Sequence, residues 1–292
     1  GYSDGKCTNC GALCDHSNID IGTGKCKKCA HQYGATISTD GNAPTGYDTL
    51  KDCLNSITAD SGNYVKIYQD IGDTSATATL DTIDVKHNVM IDLNGHKLNN
   101  IKLGVNKDVK LTLTGTEGSY VTQVYVRNGG SFVIDSEANV EFETIFVEAD
   151  AGLAVNDGAK VTTEQLTVKA SVNDDGTTTT SVKLATGMKL GALSYHCQNS
   201  SGVVKLGNLL DVTRQTLQRD ESGEYLDLYK EYGAMSYPFA LTVVEHTDAD
   251  HKYGTGTGKC KECGKPCEHG GDINTDNGIC SVCGAVVSVA LY

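Results

Sequence analysis

Cys7, Cys10, Cys14, His16, Cys26 and Cys29 crowd into the first thirty residues, and Cys260, Cys263, Cys267, His269, Cys280 and Cys283 repeat them near the other end. Both sets read Gly-Lys-Cys-x-x-Cys-Gly-x-x-Cys-x-His, followed by a Gly/Asn/Asp-rich loop and a second Cys-x-x-Cys. Cys7 to Cys260 is 253 residues and Cys26 to Cys280 is 254, so the copies are nearly in phase. Thiolate and imidazole are the donors of tetrahedral zinc, and one Cys-x-x-Cys turn supplies two thiolates from a single knuckle. A disulfide framework is the other use of a cysteine-dense stretch, but adjacent Cys-x-x-Cys pairs suit chelation better. The Gly that follows a second Cys (Gly11, Gly264, Gly284) lets the backbone turn toward the sulfurs, and Ala30 departs from that habit.

Two partitions of these donors stand side by side. In the first, Cys14, His16, Cys26 and Cys29 share one zinc, and Cys267, His269, Cys280 and Cys283 share another. Cys260 and Cys263 then combine with His246 and His251, while the partners of Cys7 and Cys10 would lie upstream of residue 1. In the second, a ribbon joins Cys7/Cys10 to Cys26/Cys29. The first is preferred because it employs the histidines. His31 has no counterpart in the second copy and reads as ordinary surface. Four protein ligands close the zinc shell, so the metal would be structural. Segments this short cannot bury an adequate apolar core, and metal would supply most of their folding energy.

The elements that must hold these ends apart are of another kind. Pro44 and Gly46 break the chain, and Tyr47, Leu50, Leu54 and Ile57 then recur at helical spacing, predicting a helix over 47–59. Cys53 beside that face reads as a small buried hydrophobe. From 63 to 210 the period becomes two: VKIYQDI, NVMIDLNGHKL, NIKLGV, DVKLTLTG, YVTQVYVRN and further runs follow one another across Asn, Gly and Asp turns. The connections leave no room for crossover helices, and the clusters restart at roughly 18–24 residues, the length of a solenoid coil. The fold expected is therefore mainly β: a right-handed parallel β-helix with the helix capping its first coil, flanked by two small zinc-ribbon-like modules. A β-sandwich or meander core is the alternative. The divisions are 1–36 for the first module, 37–245 for the solenoid, and 246–292 for the second module with the start of a further repeat. Tyr225, Tyr229, Tyr232 and Tyr237 cover the last coil or form a sugar-stacking platform, the former being the commoner use.

Charge excludes one class of partner. The formal net charge is -13 and only Arg127, Arg214 and Arg219 are arginines, a surface that repels nucleic acid. No apolar run is long enough to insert in a membrane, and the abrupt ends suggest a piece of a longer chain.

With Asp92–His96 (DLNGH), the YDTLKDCLNSI segment and the tandem Cys-x-x-Cys-Gly-x-x-Cys-x-His units in hand, the chain resembles repeat modules of multidomain, adhesin-like cell-surface proteins of anaerobic Gram-positive bacteria. The resemblance covers essentially the whole chain. It implies an extracellular structural or adhesive module whose zinc modules act as rigid joints and end-caps, and it carries over no catalytic residue. Host or bacterial surface glycans or proteins, and neighbouring repeats of the same chain, are the partners it implies.

β-Helices also include polysaccharide lyases and hydrolases, so a carbohydrate-binding or carbohydrate-active domain is the alternative. Its candidates are Asp84, Asp92, Asp135 and Glu141, with Lys86, Lys97 or Arg127 beside them, and no spacing compels them to share a site. His87 and His96 read as turn hydrogen-bonders. His196 and Cys197, adjacent on a strand, point to opposite faces and do not make a nucleophilic pair. A Cys53–Cys197 disulfide is neither supported nor excluded. Asp272–Gly278 resembles a calcium loop but lacks the twelfth-position acid.

Overall fold

The computed structural model describes residues 2–3, 6–7, 18–40, 42–75, 79–171, 173, 177–197, 203–209, 215–246, 258–260, 264–267, 273–274 and 279–280. It is mainly β, with a β-solenoid at its centre.

The leading strands are minimal: β1 (Tyr2–Ser3) pairs with β2 (Lys6–Cys7), and β3 (Ile19–Asp20) with β4 (Lys25–Cys26). Strands β5 (Ala35–Thr39) and β6 (Thr45–Tyr47) form a hairpin, and helix α1 (Leu50–Asn55) follows. The first coil comprises β7 (Asn63–Ile67), β8 (Ile71–Gly72) and β9 (Asp81–Val85). Each later coil is a short strand followed by a long one: β10 (Val89–Asp92) and β11 (Lys97–Val105), β12 (Lys110–Thr114) and β13 (Ser119–Val126), β14 (Ser131–Ile134) and β15 (Asn139–Val147), β16 (Gly152–Val155) and β17 (Lys160–Ala170), β18 (Ser181–Lys183) and β19 (Lys189–Cys197). The starts at Val89, Lys110, Ser131 and Gly152 are 21 residues apart, within the interval the turn spacing predicts, and the step to Ser181 is 29.

Short strands stack in parallel into one sheet and long strands into a second. Alternation within each strand sends one set of side chains inward, so like positions stack into columns: Val89, Leu111, Phe132, Leu153 and Val182 along one wall, and Leu103, Val124, Ile145, Leu166 and Leu193 along the other. All of them are buried, and each aliphatic removed from water contributes about 1.5–3 kcal/mol. The long strands break alternation once. Phe142 and Ile145, and likewise Thr163 and Leu166, are both inward, with Glu143 and Glu164 exposed between them. The pairing of β13 with β15 and of β15 with β17 skips the same places while staying in register, and β11 shifts register against β13 between Leu98 and Lys102. One extra residue turns the strand there, and each coil acquires three faces.

Corners use residues that tolerate left-handed backbone. Asn94 (φ 50) and Gly95 (φ 84), with His96 N–H donating to Leu93 O at 2.8 Å, make DLNGH a type I′ turn. At another corner Asp108 (φ 59), Gly129 (φ 74) and Asp150 (φ 61) stack coil over coil. Asp108 N–H donates to Gly129 O, Gly129 N–H to Asp150 O, and Asp150 N–H to Thr180 Oγ1.

The first end of the solenoid differs from expectation in two respects. The helix is Leu50–Asn55 rather than 47–59. Tyr47 is drawn into β6, paired with Ala35, and Thr49 caps the helix by accepting from Asp52 N–H at 3.0 Å. Ser56 ends it: its hydroxyl donates to Cys53 O at 2.7 Å, and β-branched Ile57 and Thr58 follow. Secondly, the edge of the short-strand sheet is covered by β5, which runs antiparallel to β7, and not by the helix. Helix α1 instead plugs the space between the sheets, burying Leu50, Cys53 and Leu54 in the main core beside β5, β6 and β9.

The far end is closed by antiparallel strands. Here β20 (Val204–Lys205) runs into α2 (Leu206–Leu209), and β21 (Gln215–Arg219), β22 (Glu231–Tyr232), β23 (Ala234–Tyr237) and β24 (Leu241–Glu245) follow. Strands β23 and β24 both pair with β19, and β21 pairs with β24. Beyond them lie β25 (Ile273–Asn274) and β26 (Ile279–Cys280), which pair with each other.

Candidate metal centres

The clearest local structure at the two ends is the same knuckle. After Cys26, Ala30 N–H donates to Cys26 O at 2.8 Å, Cys26 N–H donates to His31 O at 2.9 Å, and Lys25 bridges to Gln32. After Cys260, Gly264 N–H donates to Cys260 O at 3.0 Å, Cys260 N–H donates to Lys265 O at 2.9 Å, and Lys259 bridges to Pro266. The residue after the second cysteine is left-handed in both, Ala30 at φ 61 and Gly264 at φ 74. Ala30 therefore keeps the geometry its neighbours assign to glycine, at the steric cost a Cβ carries in that region. Cys26 and Cys260, the first cysteines of the two turns, are buried, and Cys29 is partly exposed.

Around the second knuckle, sulfur and nitrogen donors converge in pairs. Cys267 Sγ lies 3.7 Å from Cys280 Sγ, and Cys260 Sγ lies 3.8 Å from His246 Nε2. All four residues are buried. Two thiolates on one tetrahedral zinc, with Zn–S of about 2.3 Å, stand about 3.8 Å apart, and a thiolate and an imidazole slightly closer. The Cys267–Cys280 span thus fits two metal donors and is far longer than a disulfide bond of about 2.0 Å, and the Cys260–His246 span is slightly longer than a shared zinc would set. Among the described residues no three Cys, His, Asp or Glu side chains cluster as a metal site. Cys10, Cys14, His16, Cys263, His269, Cys283 and His251 lie outside the described residues, as does most of Asp272–Gly278, and Cys7 is described only as backbone.

Each end is also tied to the solenoid. Tyr68, just past β7, donates its hydroxyl to Ile21 O at 2.7 Å and packs its ring on Gly24. His31, expected to be ordinary surface, instead contacts Asp48 Oδ1 at 2.7 Å and packs edge-on against Tyr33. Asp227 closes on the second knuckle so tightly that a Cβ on Gly264 would stand 2.2 Å from its Oδ1.

The residues weighed for catalysis are dispersed. Asp84 pairs with Arg127 at 2.7 Å on an outer face, across Gly104, where a Cβ would press on both partners. Asp92 accepts from Tyr64 at 2.7 Å and Asn94 N–H on a different wall, Asp135 accepts from Glu137 N–H, and Glu141 is exposed. Lys86 donates to Asn55, while the Lys97 backbone N–H donates to Asp70. His87 contacts Asp60 at 2.9 Å and His96 contacts Asp70 at 3.3 Å, the turn-bonding roles expected of them. Together with Asn88 N–H, the bond from His87 holds the Asp60 carboxyl below the usual carboxylate range.

Cys53 is buried, its thiol pushed up to about 12 by burial, and neither it nor Cys197 forms a disulfide. His196 and Cys197 both border one small polar cavity of about 260 Å³ with Asn128, Glu148 and Lys169, while the register pairs His196 with Lys169 of the outer face and Cys197 with the fully buried Ala170, the opposite faces expected of strand neighbours. Burial, then the Lys169 charge, keeps the His196 pKa below its ordinary value.

A column on the outer face of the long-strand sheet escaped the sequence. Tyr125 and Phe146 stack at 4.8 Å with planes 8° apart, Lys102 lies over Tyr125 and Lys169 over Phe146. Burial, followed by the bond to Glu148, pushes the Tyr125 hydroxyl up to about 12. Its members recur at coil spacing, a signal visible once the period of 21 is known. The lysines close the two outer ring faces, so the column is not an open sugar platform. Among the later tyrosines, Tyr237 stacks on Tyr195 of the last coil and Tyr229 packs on the core, as expected of a cover.

No helix among the described residues is long and apolar enough to cross a membrane. No protein-family model, curated protein or solved structure matches the chain.

Proposed function

We propose that the chain is a structural and adhesive repeat module of a bacterial cell-surface protein, a β-solenoid spacer whose two ends are zinc-stiffened joints. The observation that carries this is the identical knuckle at both ends of a single solenoid, with the Cys267–Cys280 and Cys260–His246 donor pairs beside the second. Cys267 and Cys280 belong to one set in the partition that employs the histidines, which favours it over the ribbon for this copy. A zinc held by four protein donors supplies folding energy and no open coordination position. Consistent with a spacer, the outer faces carry ladders of satisfied polar groups, and the acids weighed for sugar chemistry sit on separate walls. Surface display rests on the resemblance of the Cys/His units and the DLNGH turn.

Metal analysis of the purified chain, paired with small-angle scattering, tests the proposal. Bound zinc that holds the ends rigid, and whose removal broadens the length distribution, is expected. A metal-free chain with oxidised cysteines, or depolymerisation of a glycan panel, would overturn it in favour of a disulfide-stapled or carbohydrate-active domain.

A further inference from the structure

His246 follows directly on β24, the strand that closes the solenoid through pairing with β21 and β19. It is only 3% exposed, among the few buried polar side chains, and its ring lies tilted 6.1 Å from Tyr225. Its Nε2 is directed at the sulfur of Cys260, the first residue of the second knuckle, 14 residues along the chain. The knuckle packs on the same part of the fold, through Gly264 against Asp227. An imidazole in contact with the leading thiol of a Cys-x-x-Cys turn has the donor chemistry and spacing of two corners of a zinc tetrahedron. The other pair, Cys267 and Cys280, then belongs to a separate centre, since among the described residues no three such donors cluster.

We propose that His246, directly after the closing strand, is a metal ligand that shares a zinc centre with Cys260 and so fastens the C-terminal knuckle to that strand. This rests on the zinc reading of the ends. It goes further in seating one centre directly on the end of the strand that closes the solenoid, so that metal occupancy there is coupled to the order of β24. The Cys267/Cys280 centre joins two positions within the module.

The test uses the whole chain loaded with zinc or cobalt(II), with metal counted by native mass spectrometry and thiolate coordination read from the cobalt charge-transfer absorption. His246→Ala is expected to carry one metal equivalent fewer than the unaltered chain, and Cys267→Ser to lose the other C-terminal equivalent instead. His246→Cys restores the count and raises the charge-transfer intensity by one thiolate's share, which separates ligation from a packing role of the buried ring. Hydrogen exchange in β24 should rise in His246→Ala and not in Cys267→Ser. An unchanged count and spectrum in His246→Ala would overturn the inference while leaving zinc in the ends. A metal-free unaltered chain would overturn both. Failure of His246→Cys to regain metal, with its far-ultraviolet dichroism unchanged, would reduce the contact to a hydrogen bond between imidazole and thiol.

Discussion

The solenoid and its ends solve the problem of burying a core in opposite ways. From Ala35 to Val243 one apolar cluster runs without interruption, built from columns in which each coil covers the last. At the N-terminal end the corresponding cluster among the described residues is Ile19, Cys26 and Tyr33, with Cys29 against it. Strands of the solenoid reach 11 residues in β17, whereas those of the knuckles are two residues long. A stacked coil gains stability from its neighbours, and a knuckle of a dozen residues has no neighbours to stack on. The two regions should therefore respond to different insults.

Chelation is the strongest way to separate them. Removing structural zinc, whose binding is worth about 10–16 kcal/mol in small fingers, should collapse both ends and leave the solenoid's β dichroism intact, seen as two transitions in calorimetry. A single cooperative melt that shifts as a whole would merge the two regions into one. Next in size is a core truncation. Phe132 is fully buried and meets Phe142 edge-on at 6.0 Å, so Phe132→Ala should cost about 3–5 kcal/mol in the solenoid melt and leave zinc affinity unchanged.

Smaller effects sharpen the contrast between the knuckles. Ala30→Gly relieves a left-handed alanine and should stabilise the first knuckle by about 1 kcal/mol. Gly264→Ala adds the same strain to a steric conflict with Asp227 and should weaken metal retention at the second. Competition with a chromophoric chelator reads both. The smallest effect is on pH. The folded pKa of His196 is depressed, so the unfolded chain binds that proton first, and its contribution to the solenoid is present above the ordinary value of 6.5 and lost as pH falls below it. His196→Gln should flatten the dependence of the solenoid melt on pH between 7 and 5, and an unaltered slope in that variant would remove His196 from the account.

Much of this was legible before any coordinates. Strand alternation and turn residues are local properties, and the restart interval brackets the observed 21-residue coil because each coil must return to the same corner. Cys53 as a buried hydrophobe, His87 and His96 as turn residues, and the later tyrosines as a cover follow from what such side chains ordinarily do. What was misread lies where a local preference met a tertiary competitor. Tyr47 fits a helical face, but pairing with Ala35 satisfies its backbone in a strand.

The amino-acid order alone determined the class of core, the coil length, the duplicated Cys/His units and the absence of a basic face, because all of these are matters of residue type and spacing. Only the tertiary structure decided which distant groups meet: β5 over the edge of β7, the lysine–aromatic column across four coils, and Tyr68 on Ile21; it also set His246 beside Cys260, a grouping that donor type had already suggested. Those partners are 14 to 47 residues apart. Stacking sets their proximity, and a coil's position relative to its neighbour is fixed only when the columns of the core interlock. The same Cys-x-x-Cys spelling thus occurs at both ends, while the company it keeps is settled by where the solenoid stops.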